Sequence, residues 1–237
     1  MDFSTSRVMM WLDNAVDWAL KNKNTVFAGL IGLCVLGSGI AVYRYMAQQA
    51  NMAAHKELVQ LMRMIDEPVK VTGDGADVLK GSMELQKWER VATVAQKNAQ
   101  EFNGTKLGAT FLAIYADALG GQNKTKEAVS AMRQAVDGMS VVAVRDYYQL
   151  KLALMLVDQA DDKEKKEGVE LLKKITENPK HTAHDRGLYY LGEYFWINKQ
   201  YVEAKNSWQQ FVVKYGSEKG AGELVDKAKE RLELLAV

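Results

Sequence analysis

His181 and His184 stand three residues apart with Asp185 directly behind them. That spacing lets two imidazoles and a carboxylate approach one metal ion from the first turn of a helix. The rest of such a site is missing. The chain of 237 residues has three histidines and a single cysteine, Cys34, and no further ligand cluster accompanies the pair. The plainer reading is the polar start of a helix with Thr182 as its cap. Asp161 to Glu167, reading DDKEKKE, has the acidic density of a cation loop but lacks the glycine and the ligand spacing of one, so it reads as a solvated turn. Gly73-Asp74-Gly75 and Gly120-Gly121 lack the glycine spacing and the following lysine of a phosphate loop. No catalytic residue, cofactor or metal is expected. An enzyme or regulator acting on peptidoglycan or lipid would need a polar cluster in a pocket, and none is legible.

What remains is binding chemistry, which depends on the elements that present it. Ala, Leu, Lys, Glu and Gln are abundant and prolines number two, Pro68 and Pro179. With little strand-like alternation, these features predict an all-α protein. Helices are expected over 44–65, 81–102, 105–120, 124–138, 143–160, 164–177, 182–198, 201–215 and 219–236, with a polar turn from Val71 to Gly75. Lys and Arg total 31 against 30 Asp and Glu, and a net charge of +1 gives no electrostatic reason to expect nucleic acid.

Three stretches read as copies of one helical hairpin. The first has Leu112, Tyr115, Ala116 and Leu119, then Glu127, Ala128, Met132 and Ala135. The second has Leu152, Ala153 and Leu156, then Glu167, Gly168, Val169, Leu172 and Ile175. The third has Leu191, Gly192 and Phe195, then Tyr201, Glu203, Ala204, Trp208 and Phe211. The small residues Ala116, Ala153 and Gly192 recur after 37 and 39 positions. Small residues let paired helices approach closely, and aromatics fill the space to the next pair. The third copy follows the tetratricopeptide order of Leu-Gly, two aromatics, Glu-Ala and a further aromatic. The spacings exceed the ~34-residue period of that repeat, with an insertion at Asp161 to Glu167. In tetratricopeptide proteins the first helix of each pair lines a concave face. A similar register here puts Tyr147, Leu150 and Leu154, then Tyr189, Glu193 and Trp196, along an apolar, aromatic groove able to accept a helix or an unfolded segment. The alternative is that several of these aromatics pack against the neighbouring repeat.

Near the front, Val26 to Val42 is a run of seventeen residues without a charge. A membrane helix needs about 20 predominantly apolar residues, which the run reaches with its flanks. It is longer than the core of a signal peptide and has no clean cleavage site after it. Its glycines make it a poor buried helix. Arg7, Lys21 and Lys23 precede the run, whereas Arg44 is followed by no basic residue until Lys56. This bias points the head to the cytoplasm and the body outward. The expected organisation is a cytoplasmic head over 1–24, a bilayer-spanning anchor over 25–45, a helical linker with capping helices over 46–104, and tetratricopeptide-like repeats with a C-terminal capping helix over 105–237. In the head, Val8, Trp11, Leu12, Ala15, Trp18 and Ala19 share one helical face. That helix either lies along the membrane surface or extends the membrane helix.

A short head, one span and an outer repeat body together resemble the YfgM family of bacterial inner-membrane proteins. Asn178-Pro179, Leu191-Gly192, Ala204, Trp208 and a final helix with Lys227, Arg231, Leu232 and Leu235 resemble that family's C-terminal half. The resemblance covers the layout of the whole chain. It implies a single-pass inner-membrane protein with a periplasmic C-terminal domain, acting as an ancillary subunit of the Sec translocon and linking it to periplasmic chaperones or exported clients. It implies no catalytic residues. The alternative function is a structural scaffold subunit of a larger envelope assembly.

Overall fold

The computed structural model describes residues 3–69, 76–217 and 222–235; the side chains of residues 3–8, 17, 19, 25, 26, 28–36 and 76–79 lie outside that description. Among the described residues there are ten helices and no strand, so the protein is all-α. They are α1 (Phe3–Lys21), α2 (Lys23–Asp66), α3 (Ala76–Glu101), α4 (Gly108–Gly121), α5 (Thr125–Gly138), α6 (Val142–Val157), α7 (Asp162–Glu177), α8 (His184–Ile197), α9 (Tyr201–Tyr215) and α10 (Gly222–Leu234). The expected turn from Val71 to Gly75 lies outside the described residues.

The chain divides into two compact units, Met1–Met52 and Ala53–Val237. The first holds α1 and the beginning of α2. Among the described residues no helix is long and apolar enough to cross a membrane. Of the expected anchor over 25–45, the side chains of residues 25, 26 and 28–36 lie outside the description.

The second unit is built from overlapping clusters, each joining a helix pair to a neighbouring helix. Ala54 and Leu61 of α2 pack with Val91, Ala92 and Ala95 of α3 and with Phe111, Ile114 and Ala118 of α4. Lys87 of α3 donates to the carbonyls of Ile65 and Glu67, tying down the end of α2. Ala113, Ala116 and Leu119 of α4 pack with Ala128, Met132 and Ala135 of α5 and with Leu152 and Leu156 of α6. Leu150 and Ala153 of α6 pack with Val169, Leu172 and Ile175 of α7 and with Leu191 of α8. Leu188 and Tyr189 of α8 pack with Ala204, Trp208 and Phe211 of α9 and with Val225 and Ala228 of α10. Each layer touches its neighbours, the energetic pattern of a helical repeat.

The hairpins α4/α5, α6/α7 and α8/α9 coincide with the three sequence copies, and their small residues sit where helices cross. A Cβ on Gly168 would stand 2.8 Å from the Ala153 carbonyl oxygen, and one on Gly192 would stand 2.4 Å from Trp208 Nε1. The first and third hairpins share one turn. Asn123 and Lys199 both take φ 60. Lys124 N donates to Leu119 O at 2.9 Å, and Gln200 N donates to Phe195 O at 2.8 Å. This is the six-to-one bond of a helix end closed by a left-handed residue. The second hairpin departs from it at the expected insertion. Gln159 N turns back to Leu156 O, ending α6 at Val157 rather than at 160. Asp161 Oδ1 accepts from Lys163 N at 2.9 Å and Glu164 N at 3.1 Å, so this acidic run is a capped helix start. Polar ties join the first two hairpins. Lys151 donates to Asp117 at 2.6 Å, and Arg133 pairs with Glu167 through two bonds.

Candidate protein-binding cleft

A cleft of ≈ 410 Å³ opens between the second hairpin and α8. Leu154 and Val157 of α6, Leu172 of α7, and Tyr190, Tyr194 and Ile197 of α8 make its apolar wall, while Asp158, Lys165, Glu193 and Asn198 add polar groups. The wall follows from the hairpin geometry. Gly168 brings α7 onto α6. Gly187 brings α8 close to α7, since a Cβ there would stand 2.7 Å from Ile175 Cγ2. The cleft thus sits on a backbone whose close approaches are fixed by small residues. A larger cleft of ≈ 550 Å³ lies among α3, α4 and α5, but the amides of Gln96, Gln100, Asn103 and Gln134 line much of it.

The six residues expected to form a groove divide. Leu154 and Glu193 line the cleft. Tyr147 is exposed and stacks edge-on against Tyr148 at 5.0 Å, outside the cleft. Leu150 and Tyr189 are buried core residues, which corrects the expectation that they line an open face. Trp196 is half-buried, with its ring 5.2 Å from Tyr201 and 5.8 Å from Trp208.

Leu150 is covered by α7 and α8, and the stripe of Tyr189, Glu193 and Trp196 by α9 together with α10. Val225 and Ala228 of α10 close over Tyr189, Trp208 and Phe211. Its Arg231 guanidinium lies 5.3 Å from the Trp196 ring centre, and Arg231 Nε is 3.6 Å from Glu193 Oε1. That carboxylate oxygen is fully buried and makes no hydrogen bond. Burial first, then the adjacent Glu193 carboxylate, pushes the Tyr189 phenol up to about 12. The stripe 189, 193, 196 is therefore occupied by α9 and by the chain's own last helix. The open stripe is its neighbour, 190, 194, 197, displaced by one residue or about 100° around the helix. Tyr190, Tyr194 and Ile197 escaped sequence reasoning. The signal that points to them is the apolar side of α10, which needs a surface to cover, and an arginine placed to meet Glu193.

The two histidines serve separate contacts. His181 Nδ1 accepts from Ala183 N at 3.2 Å, so its Nε2 carries the proton toward Gln149 Oε1 at 3.2 Å and Asp146 Oδ1 at 3.6 Å. Thr182 does not cap α8 as expected. Its N and Oγ1 both donate to Asp146 Oδ2, at 3.0 and 3.3 Å, and α8 begins two residues later. His184 Nδ1 stands 2.7 Å from the Tyr215 hydroxyl. Burial lowers the pKa of both imidazoles, for His181 against the opposing pull of Asp146. Among the described residues no group of three or more His, Cys, Asp or Glu is placed to hold a metal ion. Comparison with protein-family models, curated proteins and solved structures returned no match.

Proposed function

We propose that this chain is a non-enzymatic protein-interaction module, tethered by residues 25–45 to the bacterial inner membrane with its tetratricopeptide-like hairpins in the periplasm. There it serves the Sec translocon as an ancillary factor that meets periplasmic chaperones or exported clients. The observation that carries the binding role is the open wall of Leu154, Val157, Tyr190, Tyr194 and Ile197 between the second and third hairpins. Aromatic and aliphatic side chains on rigid helices suit an apolar helix face or an extended segment. The charge-free run from Val26 to Val42 supports the tether. The sequence resemblance to the YfgM family supports the location and the partners. A tether raises the effective concentration of the cleft at the membrane, so contacts too weak to hold a soluble complex suffice.

The test is the double substitution Tyr194→Ala with Ile197→Ala. Both side chains are at least partly exposed. Helix content is expected to stay near that of the parent, with a modest fall in melting temperature because Tyr194 packs against the Leu150–Leu191 cluster, while recovery of crosslinked translocon subunits, chaperones or clients falls. Undiminished recovery with the fold intact removes the cleft from the binding role.

A further inference from the structure

The first unit presents an apolar surface that the protein-binding reading leaves unused. Among the described side chains of α1, Met9 is 63 % exposed, Trp11 70 %, Leu12 46 %, Val16 55 %, Trp18 58 % and Leu20 70 %. At about 100° per residue these positions and Ala15 share one continuous arc. Asp13, Asn14 and Lys21 fall in the opposite arc, with Met10 as an apolar exception among them. The apolar arc spans about 200°, twice the ~100° stripe by which a surface helix packs on a protein core. Trp11 and Trp18 are seven residues apart and stand together at one border of the arc, beside Asn14. An indole at such a border has its apolar body on one side and its N–H on the other, the arrangement favoured where hydrocarbon meets water.

Two further observations bear on what covers this arc. α1 ends at Lys21 and α2 begins at Lys23; between them the Asn22 backbone N makes a helical bond to Trp18 O at 2.9 Å, and its side-chain Nδ2 donates to the same oxygen at 2.9 Å. The side-chain bond competes for the Trp18 carbonyl, which makes Asn22 the point at which α1 can turn away from α2. The charge-free run begins at Val26, five residues beyond Lys21. At a helical rise of about 1.5 Å per residue, the end of α1 is within roughly 8 Å of that run. Whatever surface the run enters, the end of α1 lies beside it.

We infer that α1 lies in the plane of the membrane interface on the head side. Its wide apolar arc sits at the headgroup–acyl boundary, and Asp13, Asn14 and Lys21 face water. A half-immersed helix covers about half its circumference, which matches the breadth of the arc; a protein groove would leave the outer part of it bare. The occupant is the lipid surface itself. This inference rests on the anchoring reading of residues 25–45.

The test uses the full-length chain with Cys34→Ser, reconstituted in nanodiscs of phosphatidylcholine and phosphatidylglycerol. Single cysteines replace the residues from Met9 to Lys21 in turn, and Ile40→Cys reports on the anchor. Each carries a nitroxide, and collision with oxygen is compared with collision with a water-soluble nickel chelate. The expected result is a helical period, with Leu12→Cys and Val16→Cys favouring oxygen and Asp13→Cys and Asn14→Cys favouring nickel. The immersed labels should lie about 5–10 Å below the headgroups, and Ile40→Cys, five residues from the far end of the span, should favour oxygen as well. Uniform nickel access along α1 with Ile40→Cys favouring oxygen overturns the inference and leaves the anchor standing. Nickel access at Ile40→Cys overturns both. A period that appears in native membranes but not in pure lipid makes the occupant a protein, and overturns the inference as well.

Discussion

Gly192→Ala tests whether the hairpin crossings are as tight as the packing requires. A Cβ at position 192 would stand 2.4 Å from Trp208 Nε1, 2.5 Å from Cδ1 and 2.8 Å from Cε2. Comfortable contact is about 3.5–4.0 Å, so the ring must withdraw by roughly 1 Å. It has little room. Trp208 is fully buried, its Nε1 donates to Tyr189 O at 3.2 Å, and its ring lies 5.8 Å from Trp196. Overpacking of this kind costs about 1–3 kcal/mol, and loss of the indole bond adds about 1 kcal/mol. Alanine returns up to about 1 kcal/mol in helix propensity. The net expectation is destabilisation of about 1–3 kcal/mol, a fall in Tm of roughly 2–12 °C for a chain of this size. Gly120→Ala is the control, because a Cβ there meets nothing within 4 Å. It should stabilise by up to about 1 kcal/mol. Thermal melts of the full chain in mild detergent, followed by far-ultraviolet circular dichroism and tryptophan fluorescence, read both variants. The reasoning is refuted if Gly192→Ala melts at or above the parent temperature, or if the two variants shift in the same direction.

Two further expectations concern charge. His181 and His184 both have imidazole pKa values lowered by burial, so each favours the neutral form in the folded state. Their contribution to stability is present above the unfolded value of about 6.5 and is lost as pH falls through it toward the folded values. The melting temperature should therefore drop between pH 7.5 and 5, and the drop should shrink in His184→Gln; a parent profile flat across that window would contradict it. The Arg133–Glu167 pair joins the first two hairpins, but its side chains are 38 % and 45 % exposed. A double-mutant cycle should give a coupling of only about 0.2–1 kcal/mol despite its two bonds, and a coupling above about 2 kcal/mol would show that solvent screens it less than its exposure implies.

The hairpins were legible in the sequence because their determinants are local. Ala116, Ala153 and Gly192 mark the crossings, and Asp161 marks the departure of the second hairpin. Asn123 is a natural left-handed residue, whereas Lys199 adopts the same φ 60 without any such preference. The candidate site was only half legible. Helical period ties Tyr189 to Glu193 and Trp196, and Tyr190 to Tyr194 and Ile197, but it does not say which stripe is covered. That choice is made further along the chain by α9 and α10, through Trp208, Phe211, Val225, Ala228 and Arg231. Thr182 misled for a similar reason. Its type and place suit a cap, but Asp146, 36 residues earlier, takes its donors.

In the proposed function the cleft between the second and third hairpins meets other proteins at the membrane. The most direct measurement places a photo-crosslinking residue at Ile197, on the cleft wall, and separately at Val213, which is 86 % exposed and outside the cleft. Both full-length proteins are irradiated in intact cells and their adducts identified. The expected adducts are translocon subunits, periplasmic chaperones or exported clients attached through position 197 and not through 213. The same adducts from both positions, or reproducibly none from 197, would contradict it.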